Sequence, residues 1–125
     1  MKLLIDSNAF IWMTSLPREL SAPARQALID PANDRFISIA SLWEIGIKLS
    51  TGKLTLPGTL ETAVAGMAAV TLPITMACIK RIQTLPLHHR DPFDRMLIAQ
   101  AFEEGLTIVT RDRIFQAYGV SVLTA

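Results

Sequence analysis

Short apolar runs alternate with longer amphipathic segments along this chain. Residues 2–5 form a run that is continuously apolar after Lys2, which is typical of a strand buried on both faces. Similar runs recur along the chain, and the one at residues 70–74 is interrupted by Pro73. The pattern predicts strands over residues 2–5, 35–39, 106–109 and 120–123, with a short additional strand at residues 70–74.

Polar capping residues precede the segments between these runs and indicate where helices begin. Ser7-Asn8 can cap the first helix, and Ser21 precedes a second helix with a proline in its first turn. Ser38 or Ser41 caps the third, and Gly105 supplies the C-terminal stop of a strongly apolar helix. The predicted helices cover residues 7–15, 21 to a turn at 31–34, 41–50, 59–69, 75–84, 91–105 and 113–118.

Strands that alternate with helices predict an α/β fold. We expect residues 1–125 to form a single domain with a mostly parallel central sheet of four to five strands, flanked by helices on both faces. The sequence contains no internal repeat, low-complexity segment or linker. One ordered core is also what the composition favours, since 50% of the residues are hydrophobic and 18% are charged.

Charge and cysteine content narrow the classes of function. A formal net charge of +1 excludes a broadly basic nucleic-acid-binding surface, although a local basic patch remains open. A single cysteine, Cys78, cannot form an internal disulfide and suits a reducing cytoplasm. Asp6 interrupts the N-terminal apolar run, and no run of 18 uncharged apolar residues occurs. We therefore expect a soluble, cytoplasmic protein without membrane contact.

Four acidic residues occupy positions at which proteins of this fold class commonly have binding or catalytic residues. Asp6 ends the first strand, Asp112 follows the fourth, and parallel strands bind ligands beyond their carboxyl ends. Asp94 lies in the first turn of a helix, and Glu44 lies between Trp43 and Ile45. Carboxylates in apolar surroundings are costly unless their charge is compensated. The four acids therefore predict a site for a hard divalent cation.

Each acid also has a simpler explanation. Asp6 can cap the first helix, and Asp112 can be an ordinary turn residue. Asp91 and Asp94 around a proline fit the start of a helix, which is the interpretation we favour for Asp91. Glu44 can pair with Lys48 one helical turn later. The convergence of all four acids on one edge of the sheet would be a much less common coincidence.

The chemistry that needs such a cluster is metal-assisted phosphodiester hydrolysis. One or two Mg²⁺ or Mn²⁺ ions would activate water and relieve charge on the phosphate. Ser7, Asn8 and Thr110 are placed to orient waters bound to the ion. His88, His89 and one distant cysteine do not make a zinc site, and the chain has neither a G-x-S-x-G turn nor a glycine-rich phosphate loop.

Four segments together resemble the PIN domain, and more narrowly the toxins of VapBC-type toxin–antitoxin pairs. The segments are LIDSNA at 4–9, SLWEI at 41–45, HRDPFDRMLIAQA at 89–101 and TRD at 110–112. The resemblance implies a Mg²⁺- or Mn²⁺-dependent endoribonuclease that cuts structured RNA such as tRNA. It also implies a small antitoxin partner whose tail covers the site. Asp6, Glu44, Asp94 and Asp112 take the catalytic and metal-binding positions.

The remaining site residues follow the same resemblance less closely. Thr110 matches the hydroxyl residue near the last acid, Ser7 stands where threonine is commoner, and Asn8 is at a more variable position. RNA would require cations near the acids, for which Arg95, Arg111 and Lys48 are the leading candidates. Further candidates are Lys53, Arg90, Arg113, His88 and His89.

Two other expectations concern partners and rival functions. Large apolar residues on the helices at 8–15 and 41–53 suggest an antitoxin groove or a homodimer face. The main alternative function is a catalytically silent PIN-like module that only recruits a protein. A phosphoacceptor receiver domain ranks lower, because the first strand here lacks the adjacent acids that such a domain requires.

Overall fold

Five parallel strands form one sheet in the order β3-β2-β1-β4-β5 in the computed structural model, which describes residues 1–125. The predicted α/β fold is confirmed, including the short strand before Pro73. Proline cannot donate to a strand ladder, which accounts for the end of that strand at Leu72. The strands are β1 Lys2–Ile5, β2 Asp34–Ser38, β3 Val70–Leu72, β4 Thr107–Thr110 and β5 Val122–Thr124.

Six α-helices connect the strands, and two short 3₁₀ helices lie at Pro17–Glu19 and Arg113–Tyr118. The α-helices are α1 Ser7–Ser15, α2 Ala22–Ile29, α3 Ile39–Ser50, α4 Leu60–Gly66, α5 Met76–Ile82 and α6 Pro92–Glu104. None of them is both long and apolar enough to cross a membrane. Gly105 ends α6 in the left-handed region at φ 64°, where a residue without a Cβ is favoured.

The structure selects among the helix caps that the sequence offered. Asp6, and not Ser7 or Asn8, caps α1, because its Oδ1 accepts from the backbone N of Ala9. Ser38 caps α3 through its contact with the N of Ala40, whereas Ser41 lies inside the helix. The predicted fourth helix is also longer than the observed α4.

The core lies on both faces of the sheet, as the apolar pattern of its central strands requires. Leu3 and Ile5 of β1 pack with α1 and α2, while Leu4 packs on the opposite face with α6. All three side chains are fully buried. Successive side chains of a strand point to opposite faces, so a strand with helices on both sides must be apolar at every position.

The order of the strands creates a crevice between β1 and β4. The chain proceeds from β1 through β2 to β3 on one side and reaches β4 and β5 on the other. Ile5 is paired with Val109, so the residues that follow β1 and β4 leave the sheet side by side. Such a switch point is where parallel α/β sheets bind ligands. Asp6 follows β1 at this position, and Thr110 ends β4.

Candidate metal centre

Asp6 is a buried carboxylate at the end of β1. It is 6% exposed, and its Oδ1 accepts a hydrogen bond of 2.8 Å from the N of Ala9. Its pKa is raised to about 6, chiefly by burial, and the neighbouring carboxylates of Glu44 and Asp112 contribute in the same direction. Hydrogen bonds from the Thr110 hydroxyl and the Ala9 amide act in the opposite direction. Asp6 is thus a helix cap and, at the same time, a carboxylate whose charge is poorly compensated.

Glu44 is brought to the same place by α3. The hydroxyl of Ser7 donates to Glu44 Oε1 at 2.6 Å, which links α3 to the first turn of α1. Lys48 Nζ lies 3.3 Å from the other oxygen, Oε2, so the predicted pair one turn apart is present as well. The side chain of Lys48 is 38% exposed, and this ion pair contributes little to stability.

Asp94 occupies the first turn of α6. Asp91 caps this helix, since its Oδ1 accepts from the N of Phe93 at 2.8 Å and from the N of Asp94 at 3.1 Å. The pKa of Asp94 is raised to about 7, chiefly by burial, and the charges of Asp91, Glu44 and Asp6 contribute in the same direction. His89 lowers this pKa but does not offset the other effects. A carboxylate in this condition is readily stabilised by a bound cation.

Asp112 begins the 3₁₀ helix that follows β4. Its backbone N donates to the Thr110 hydroxyl at 3.1 Å, and its Oδ1 accepts from the N of Ile114 at 2.9 Å. The remaining oxygen, Oδ2, lies 2.8 Å from His89 Nε2. The same nitrogen lies 3.1 Å from Asp94 Oδ2. Asp112 therefore reaches the other acids while also serving as the turn residue that the sequence suggested.

The structure brings the four predicted acids together. Asp6 interacts electrostatically with Glu44 and Asp112, and Asp94 interacts with Glu44 and Asp6. The Ser7 hydroxyl contacts Glu44, and the Thr110 hydroxyl contacts the backbone of Asp112. Asn8 is exposed and makes no side-chain hydrogen bond. Its predicted role in orienting water therefore stays a prediction.

His89 belongs to this cluster, although the sequence indicated it only as one of several nearby cations. The groups of His89, Asp94 and Asp112 that can bind a metal lie within 4.8 Å of one another. The loop between α5 and α6 carries His89 to this position. A histidine two residues before the N-cap of α6 was the available signal, but spacing alone does not reveal how that loop folds.

Two of the three leading cations have other partners. Arg95 donates to the Tyr118 hydroxyl and to several carbonyls of the loop between α5 and α6, including that of Pro86 at 2.9 Å. Arg111 donates to the carbonyls of Ala125 and Glu19, and its guanidinium lies 4.2 Å from the centre of the Trp12 ring. Guanidinium groups bound in this way hold the fold together. The predicted RNA contact is therefore not supported for either arginine.

The apolar residues singled out on α1 and α3 divide into core and surface. Phe10 is fully buried and Trp12 is partly buried, so these two side chains contribute to packing. Trp43 is 63% exposed and Ile47 is 43% exposed, on the helix that carries Glu44. The Trp43 and Phe93 rings form a T-shaped pair at a centroid distance of 5.2 Å. An apolar surface therefore lies beside the acids.

The donor set fits a hard divalent cation. Four carboxylates share one crevice, two of them with raised pKa values, while Lys48 and His89 are the basic side chains in contact with them. Oxygen ligands of this kind are the ones that Mg²⁺ and Mn²⁺ prefer. The arrangement can hold a cation and can keep water bound to it within reach of a phosphate.

Comparison with known proteins is consistent with this geometry. Residues 3–120 match the PIN domain, and the chain belongs to that family. The resemblance described from the sequence is thereby confirmed. Ribonuclease VapC22 of Mycobacterium tuberculosis is 28% identical over 119 residues, which cover 93% of this chain and 91% of that protein.

Solved structures give the same fold. VapBC2 from Rickettsia felis, bound to a DNA fragment from its promoter, superposes with a TM-score of 0.72 at 14% identity, covering 98% of both chains. FitAcB from Neisseria gonorrhoeae superposes with a TM-score of 0.65 at 21% identity, covering 98% of this chain and 96% of that one. These similarities concern the fold, because identities this low do not carry function.

Proposed function

We propose that this protein is a divalent-metal-dependent endoribonuclease, the toxin of a VapBC-type toxin–antitoxin pair. The observation that carries the proposal is the convergence of Asp6, Glu44, Asp94 and Asp112 at the switch point of a PIN-domain sheet. The similarity to a ribonuclease over 93% of the chain supports the same class of reaction. Phosphodiester hydrolysis is the reaction to which a carboxylate cluster of this kind is suited.

The chain's own residues would bind one or two Mg²⁺ or Mn²⁺ ions through the four acids, with Asp6 and Asp94 as principal ligands. A bound ion supplies an activated water and neutralises charge that builds up on the phosphate. Ser7 orients Glu44 through its 2.6 Å hydrogen bond, and the Thr110 hydroxyl fixes the backbone of Asp112. The residues packed around Asp6 leave it 6% exposed and so shield this carboxylate from bulk water.

The substrate in this proposal is RNA, and the family resemblance favours structured RNA such as tRNA. Lys48 is the leading cation that pairs with an acid of the site, and its side chain is 38% exposed beside Glu44. Arg90 and Arg113 are better candidates for phosphate contact than Arg95 and Arg111. Both are exposed, and neither side chain forms a hydrogen bond with the protein, so both guanidinium groups are free to bind a phosphate. Phosphate contacts of this kind dominate affinity for nucleic acids.

The proposed partner is a VapB-like antitoxin, as in the complexes with which this fold superposes. A groove of about 620 Å³ between α1, α2 and α4 offers a concave surface for a peptide. Met13, Leu28 and Met67 are among the residues that line it. The exposed Trp43 and Ile47 on α3 suit either the antitoxin or a second copy of the chain.

The test is RNA cleavage by purified protein in Mg²⁺ or Mn²⁺, compared with the variants Asp6→Asn and Asp94→Asn. We expect cleavage that stops on chelation and is lost in both variants. Asp34→Asn is the matched control, because Asp34 is exposed at the start of β2. Full activity in both site variants would remove these residues from the reaction. A catalytically silent binding module, the alternative, would show no Mn²⁺ uptake that depends on the acids.

A further inference from the structure

The imidazole of His89 lies between two carboxylates of the proposed metal centre. Its Nε2 forms a hydrogen bond of 2.8 Å with Asp112 Oδ2 and lies 3.1 Å from Asp94 Oδ2. Two roles are compatible with these distances. Nε2 can carry a proton and donate it to the acids, or it can present a lone pair to a cation held among them. The contact made by the other ring nitrogen decides between these two roles.

The second ring nitrogen, Nδ1, accepts a hydrogen bond from the backbone N of Asp91 at 3.2 Å. A nitrogen that accepts a hydrogen bond carries no proton, so the proton of the neutral imidazole is on Nε2. Nε2 then has no lone pair for a cation. It is instead a donor directed at the carboxylate of Asp112, with Asp94 beside it.

The ring is held in this orientation from several directions. The backbone N of His89 donates to the Tyr118 hydroxyl at 2.7 Å, and the ring meets the edge of Phe115 at 5.7 Å. The side chain of His89 is 11% exposed. Arg95 also donates to the carbonyl of His89, at 3.4 Å. A donor fixed by contacts with this many elements is well suited to orienting a neighbouring acid.

We propose that His89 is a positioning residue, which holds Asp112 next to Asp94 for cation binding without itself binding the ion. This inference rests on the proposed function, because it assigns His89 a role in that metal centre. Without His89, Asp112 would keep only the hydrogen bond from Ile114 N to its Oδ1. Its Oδ2 would then be free to turn away from Asp94, whose negative charge repels it. Replacing a residue that hydrogen-bonds to a metal ligand commonly lowers metal affinity or activity by 10- to 100-fold.

The test compares His89→Ala with His89→Gln, whose side-chain amide can place a donor near the position of Nε2. Mn²⁺ affinity is measured from the electron paramagnetic resonance signal of free Mn²⁺, and RNA cleavage is separated into kcat and KM. We expect His89→Ala to weaken Mn²⁺ binding by about tenfold or more and to lower kcat with little change in KM. His89→Gln should recover part of both losses.

The control is His88→Ala, because His88 is exposed and its ring meets Tyr118 at 5.0 Å instead of the acids. It should bind Mn²⁺ as the unaltered protein does. Unchanged Mn²⁺ affinity in His89→Ala would overturn the inference, and so would a complete lack of recovery in His89→Gln.

Two measurements on the unaltered protein decide the question even if these variants fold poorly. Nitrogen NMR of the metal-free protein at about pH 8 should find the His89 proton on Nε2 and none on Nδ1, and the opposite tautomer would overturn the inference. Electron spin-echo spectra of the Mn²⁺-loaded protein should lack a directly bound nitrogen, and a bound nitrogen would make His89 a ligand. Failure to bind Mn²⁺ at all would refute the proposed function, while the tautomer would still report whether His89 donates to the acids.

Discussion

Replacing Asp6 by asparagine removes one buried negative charge and preserves the shape of the side chain. The Oδ1 of asparagine can still accept the 2.8 Å hydrogen bond from Ala9 N, so the cap of α1 should survive. The variant no longer has to keep an ionised carboxylate at a position that is only 6% exposed, which is unfavourable for folding. In the absence of metal, Asp6→Asn should therefore be more stable than the unaltered protein near neutral pH.

The size of the effect follows from the raised pKa of Asp6. The folded value is about 6 against 3.8 for an unperturbed aspartate, a difference of about two pH units. At about 1.4 kcal/mol per unit, the charged carboxylate costs on the order of 3 kcal/mol. The direction in which stability changes with pH follows from the protonation of Asp6 in the folded and unfolded protein. Below about pH 4, Asp6 is protonated in both the folded and the unfolded protein, so it does not lower the free energy of unfolding. The loss of stability grows as the pH rises toward 6 and stays constant above it.

The assay is urea denaturation in the presence of a chelator, at a series of pH values from about 4 to 8. The stability difference between Asp6→Asn and the unaltered protein should rise from near zero to about 3 kcal/mol across this range. Mn²⁺ should stabilise the unaltered protein and leave the variant nearly unaffected. A pH-independent difference, or a variant less stable at about pH 8, would refute the argument that Asp6 carries uncompensated charge. Asp34→Asn, at an exposed position, should show no such trend.

Three further predictions concern other parts of the molecule. Ser7→Ala removes the hydroxyl that donates to Glu44, so RNA cleavage should fall about tenfold and the free energy of unfolding by about 1 kcal/mol or less. Unchanged cleavage would show that Ser7 does not orient Glu44. Arg95→Lys should cost about 1–3 kcal/mol in urea denaturation because lysine cannot reach the same carbonyls, yet it should leave RNA affinity unchanged. Gly105→Ala should destabilise by about 1 kcal/mol, since Gly105 has φ 64°, and a neutral effect in thermal unfolding would contradict this.

Much of the fold was accessible from the sequence because the strands are buried on both faces. Residues 2–5 and 106–109 read as strands since nearly every position in them must be apolar, and the structure has strands there within one residue. Gly105 and Asp91 mark the ends of α6 through local capping chemistry, which depends on neighbours in the chain. Boundaries were less accurate at α4, whose 7 residues are largely exposed and carry a weak pattern.

The site was predictable as far as it depends on topology. Asp6 and Asp112 follow β1 and β4, the two strands on either side of the switch point, so the sequence alone indicates that they approach each other. The basic residues were harder, because adjacency in the chain is not adjacency in space. Arg95 follows Asp94, but neighbours on a helix point about 100° apart, and Arg95 is directed to the loop instead. The position of His89 depends on that same loop, which no periodic pattern describes.

Anomalous diffraction from crystals of the protein soaked in Mn²⁺ tests directly whether acids distant in the chain form one cation-binding site. We expect a peak bound by carboxylate oxygens of Asp6 and Asp94, with Glu44 or Asp112 close by and no nitrogen ligand from His89. A structure without Mn²⁺ among these residues, or with the ion bound elsewhere on the surface, would contradict this expectation.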